Sequence, residues 1–88
     1  MRPLLCIDFD GVLHSYSSGF VSADKIPDKP VPGAMKFLVD ANKKFELAIF
    51  SARNHQGGVG AMMKWLVEHL TPVLGSKHAA YQFVTTEL

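Results

Sequence analysis

Leu4-Leu5-Cys6-Ile7-Asp8-Phe9-Asp10-Gly11-Val12-Leu13 is the stretch on which the reading of this chain turns. A short apolar run stops at two carboxylates one residue apart, and a glycine follows. Leu4 to Ile7 is apolar on both strand faces, which predicts a buried strand. Asp8 and Asp10 stand where that strand ends, and i, i+2 positions on an extended backbone point to the same side. Two like charges held that close repel, and burying either is costly without compensation. A divalent cation supplies the compensation, and oxygen ligands suit Mg²⁺. Gly11 allows the tight turn that lifts both side chains clear of the strand. The plain alternative is a strand ending in an Asp-rich turn, since Asp and Gly are common turn residues.

Working outward, the chain of 88 residues predicts one small domain, with 48% apolar residues to build a core. Nine Lys and Arg stand against eight Asp and Glu. That balance gives no indication of nucleic acid or of an anionic membrane surface as partner. The one cysteine, Cys6, excludes an internal disulfide and fits a reducing compartment. No apolar run approaches a membrane span, and the N-terminal run is too short for a signal peptide. The expected location is the cytoplasm.

Residues 14–32 form the longest irregular stretch, with Pro27, Pro30 and Pro32 spaced so that no helix survives. A long connection directly after an acidic strand end is expected to be either a functional flap or a disordered loop. Gly19-Phe20-Val21 could form part of a small hairpin or flap, and Tyr16 and Phe20 could equally cover a site or pack on the body as ordinary loop aromatics. His14 lies near the acidic pair. Val31-Pro32-Gly33 is expected to open the first helix, with Ala34, Phe37, Leu38 and Ala41 as its apolar stripe. Phe45 to Phe50 reads as a second, central strand, so strand, helix and strand imply a parallel pair.

That strand ends at Ser51-Ala52-Arg53-Asn54-His55. In a parallel sheet both strand ends share one edge, so Ser51 is expected beside Asp8 and Asp10. A hydroxyl and backbone N–H groups there could hold phosphate oxygens. Gln56-Gly57-Gly58-Val59-Gly60 enters the next helix and lacks the Gly-Lys-Ser/Thr end of a Walker-type loop. Val59, Met63, Leu66 and Leu70 form a helical stripe that Thr71-Pro72 is expected to end. Ala79 to Thr85 is expected as a third, short strand.

These residues together resemble a known family. Asp8-Phe9-Asp10-Gly11-Val12 after a buried strand is similar to the first signature of the haloacid dehalogenase-like hydrolases. Ser51 after the second strand is similar to their second signature. The chain most resembles small phage and bacterial members that lack a large cap domain. The resemblance implies a three-layer α/β/α Rossmann-like domain over residues 1–88, here truncated to about three parallel strands in the order 3-2-1 with two main helices. It implies that Asp8 attacks the phosphorus of a phosphorylated small molecule to form an aspartyl-phosphate, and that Asp10 serves as acid and base. It places Mg²⁺ against the Asp8 carboxylate and the Asp10 carbonyl, so both are expected metal ligands. The phosphate is expected on Ser51, Ala52, Phe9, Gly11 and Arg53.

The chain departs from that pattern at one place. Family members also carry a lysine before a fourth strand and acidic residues at its end, beyond a stretch resembling Gln82 to Thr86. Neither has a counterpart here; Lys77 precedes the expected third strand. Without a fourth strand the first becomes an exposed apolar edge, which predicts a homodimer through the first strand. Two functions are therefore carried forward: an Mg²⁺-dependent phosphomonoester hydrolase, and a non-catalytic phage or prophage relative that binds a protein or a phosphorylated ligand.

Overall fold

In the computed structural model, which describes residues 2–88, the opening run forms strand β1 (Leu4–Asp8) and the later apolar run forms strand β2 (Glu46–Phe50). The two pair in parallel, with Leu4 beside Glu46 and Asp8 beside Phe50. Helix α1 (Ala34–Ala41) lies in the connection between them. Helices α2 (Val59–Leu74) and α3 (Lys77–Glu87) follow and pack on each other.

The expected sheet of three parallel strands in the order 3-2-1, with two main helices, does not form. Among the described residues the sheet has two strands, and three helices accompany it. The stretch from Ala79 to Thr85, expected as a strand, lies inside α3. Two local features explain the difference. Gly75 takes a left-handed conformation (φ 88°) that ends α2, and the Ser76 hydroxyl accepts the Ala79 amide at 3.0 Å, capping a new helix. The apolar spacing also suits a helix better. Ala80 and Val84, four apart, are both buried, whereas a strand would put Gln82 on the same face between them.

The helices cover only one face of the sheet. Ile7 and Leu47 are buried there, and Leu5 and Ile49 pack against the same core. On the other face Leu4, Cys6 and Phe50 are exposed, Phe50 at 70%. The expectation of a first strand buried on both faces, and of a central second strand, is thus corrected. Parallel strands are buried twice only when helices lie on both sides. Here buried residues of α1, α2 and α3 all join the same core cluster as Ile7 and Leu47.

Two helix boundaries also differ from expectation. Helix α1 starts at Ala34 rather than Pro32, because Gly33 before it is left-handed (φ 83°). Its buried residues are Ala34, Met35 and Leu38, and Phe37 faces outward. Helix α2 runs through Pro72 to Leu74. Proline removes one N–H from the last turn, and the Thr71 hydroxyl donates to the Val67 carbonyl at 2.7 Å beside the gap.

The segment after β1 is a closed turn. The Phe9 carbonyl accepts the amides of Val12, Leu13 and His14 at 3.3, 2.9 and 3.0 Å. Gly11, at φ 82°, returns its own amide to the His14 carbonyl at 2.7 Å. Bonds from Ser15 to Lys29 and from Val31 to Leu13 then pin the base of the long loop. Among the described residues, no helix is long and apolar enough to cross a membrane.

Candidate functional site

Parallel pairing carries the ends of β1 and β2 to one edge, with Asp8 opposite Phe50 and Ser51 next in the chain. Asp8 is exposed, and one of its carboxylate oxygens accepts the Phe9 amide at 2.9 Å. Ser51 is buried and caps a 3-10 turn at Ala52–His55, its hydroxyl oxygen accepting the Arg53 amide at 3.1 Å. Ala52 is exposed at the start of that turn.

Asp10 does not stand free beside Asp8. Arg53 reaches it from the second strand's end, Nε donating at 2.9 and 3.2 Å to the two carboxylate oxygens. A terminal guanidinium nitrogen adds a bond at 3.0 Å. The third nitrogen donates to the carbonyls of Ser22, Ala23 and Lys25 at 2.9, 2.9 and 3.1 Å. Arg53 is 1% exposed, so a buried guanidinium ties the acidic strand end to the flap. This use of the planar fork is open to arginine and not to lysine.

His14 completes the network. Its ring is fully buried, and Nε2 accepts the Asp28 amide at 3.1 Å. That leaves Nδ1 as the N–H that donates to Asp10 at 2.9 Å. Burial alone pushes the Asp10 carboxyl up, but the hydrogen bonds from Arg53 and then His14 outweigh it and hold the carboxyl below the usual carboxylate range. Asp28 is also held low, by the Ser18 hydroxyl and amide that its carboxylate accepts. Trp65 closes the floor: its indole N–H donates to the Asp28 carbonyl at 3.0 Å, and its ring meets those of Phe9 and His14 edge-on.

The fold therefore gathers Asp8, Ser51, Ala52, Asp10 and Arg53 at one edge, in two distinct conditions. Asp8 and Ala52 face outward. Asp10 and Arg53 are spent on each other. The Phe9 amide is taken by Asp8, and the Gly11 amide by His14, so two expected phosphate donors are engaged inside the turn. Arg53, expected to touch phosphate, has its guanidinium occupied by the protein itself.

Asp8 offers an exposed carboxylate at the edge, one oxygen of which also accepts the Phe9 amide, and Asp10 would add a carbonyl. Among the described residues, no three His, Cys, Asp or Glu side chains cluster to hold an ion. Mg²⁺ does bind through one or two carboxylates together with substrate phosphate and water.

The site is an open strand edge and not the largest concavity. The larger clefts lie elsewhere: one of about 640 Å³ along α2 and α3 beside Met63, Val67 and Tyr81, and one of about 530 Å³ beside β2 and Met62. The sequence leaves the flap carbonyls and Asp28 unassigned, and it marks Trp65 only as a core residue, where the structure also buries it. His14 carried a faint signal, since Asp10 and His14 are four apart. The flap carbonyls and Asp28 had none, because they meet only through the folded loop. No family model, curated protein or solved structure matches the chain.

Proposed function

We propose that this chain handles a phosphomonoester at the shared end of β1 and β2, as a hydrolase of the haloacid dehalogenase type. The carrying observation is the parallel register that brings an exposed Asp8 to the same edge as Ser51 and Ala52. In this reading an Asp8 oxygen attacks phosphorus while the bond to the leaving group breaks, and the departing alkoxide takes its proton from solvent water, which recovers one when water attacks in the second step. Water then attacks the aspartyl-phosphate, releasing phosphate and restoring the carboxylate. The Ala52 amide and the Ser51 hydroxyl are the donors for the phosphoryl oxygens. Bound Mg²⁺ would supply charge neutralisation between the phosphate and Asp8.

Asp10 limits this chemistry. A carboxyl held low by Arg53 and His14 is ionised at neutral pH and has no proton to give until Arg53 lets go. That observation favours the second reading, a scaffold that binds a phosphorylated ligand without turnover. Hydrolysis of 4-nitrophenyl phosphate with and without Mg²⁺ separates the two. Metal-dependent turnover abolished in Asp8→Asn supports the hydrolase. Phosphate binding without turnover supports the scaffold. Absence of both refutes the site. Asp8→Asn is expected to leave stability within ~0.5 kcal/mol, because the side chain is exposed.

We also infer that the chain pairs with a second copy through β1. Support comes from the sheet itself, in which β1 has β2 as its sole strand partner among the described residues.

A further inference from the structure

Three features of the candidate site meet at Arg53. Its amide donates to Ser51, its guanidinium clasps Asp10, and the Phe20 ring lies over that guanidinium with its centroid 5.5 Å away. Phe20 is nevertheless 56% exposed, and Val21 beside it is 62% exposed.

The chain on either side of the ring is tied down. Arg53 grips the carbonyls of Ser22, Ala23 and Lys25 just after it. The Ser22 hydroxyl donates to Asp24 at 2.7 Å, and the Lys25 amide closes back on the Ser22 carbonyl at 3.1 Å. On the far side Asp28 fixes Ser18 through its hydroxyl and amide. The start of α2 leaves no slack either: a Cβ at Gly58 would lie 2.5 Å from the Ala23 carbonyl oxygen. One ring face is thus turned to Arg53, on a loop whose flanking residues are hydrogen-bonded on both sides. Such preorganisation reduces the entropy lost when a ligand docks.

We propose that Phe20 is the specificity contact of the site, and that the group carrying the phosphate is an aromatic ring or flat heterocycle that stacks against it. The inference rests on the phosphomonoester reading above and adds its ligand class. Val21 widens the apolar wall. Arg53 acts here as a positioning residue: it draws electron density from one face of the ring and keeps the loop beside Ser51 and Asp10.

The test uses two phosphonates that cannot be hydrolysed, so it needs no turnover. Methylphosphonate and benzylphosphonate share a headgroup and differ by a phenyl ring. Calorimetric titration is expected to show benzylphosphonate binding about two- to tenfold tighter, the range of an aromatic contact. Phe20→Ala should remove that preference, so that the two phosphonates bind alike, and Phe20→Tyr should restore it. Circular dichroism should show both variants folded, since the side chain is largely exposed. Equal binding of the two phosphonates to the unaltered protein overturns the Phe20 assignment while the phosphate site stands. A preference that survives Phe20→Ala overturns it as well. If neither phosphonate binds, the phosphate reading itself fails and this inference falls with it.

Discussion

Replacing Arg53 by methionine tests the centre of the structure most directly. Methionine keeps much of the side-chain length but removes every guanidinium bond. Breaking a buried ion pair by deleting one partner costs about 3–5 kcal/mol. The Asp10 side chain is 24% exposed, so water can partly replace the lost partner, and the lower end, about 3 kcal/mol, applies. The carbonyls of Ser22, Ala23 and Lys25 lose their shared donor too. Water reaches them once the loop loosens, so together they add about 1 kcal/mol. The sum is about 4 kcal/mol, against a total of roughly 4–13 kcal/mol for a chain of this size. Urea unfolding followed by Trp65 fluorescence should show the midpoint falling by about 4 M, for a slope of about 1 kcal/mol per molar. The loss should also depend on pH. Asp10 titrates lower in the folded chain than the ordinary value of 3.8, so its pairing stabilises fully above that value. The contribution fades as pH falls through 3.8 towards the folded pKa. The gap between variant and parent should therefore narrow in acid. A loss under about 1 kcal/mol at pH 7, or a gap that stays constant down to pH 2, would refute the network as drawn.

Gly58→Ala should cost about 1–3 kcal/mol, because the new methyl meets the Ala23 carbonyl and the Arg53 side chain; urea titration reads it, and a neutral result argues against the close approach. Ser76→Ala should lower stability by about 1 kcal/mol through loss of the α3 cap, with a fall in helical circular dichroism. No change there would reopen the assignment of residues 77–87 as helix. Sedimentation at micromolar concentration should give the mass of a dimer, and a charged substitution at exposed Leu4 should shift it towards monomer. A monomer in both cases removes the proposed pairing through β1.

What the sequence determined by itself was the local and the parallel. An apolar run that stops at Asp8 and resumes at Leu47 marks two strands, and the helix between them forces parallel pairing, so the shared edge of Asp8 and Ser51 was legible without coordinates. The third strand was misread because Tyr81, Phe83, Val84 and Thr85 favour extended chain by residue type, while the outcome rested on a cap at Ser76 and on the burial of Ala80 and Val84 against α2. The state of Asp10 was beyond sequence reasoning for a different reason. Spacing can say that two carboxylates share a side, but it cannot say which distant cation reaches one of them. Only the folded loop decides that Arg53 spans from Asp10 to the Ala23 carbonyl and that Asp28 presents its amide to His14. Burial makes those bonds obligatory, since a guanidinium shut away from water must spend its N–H groups on whatever oxygen the tertiary structure supplies.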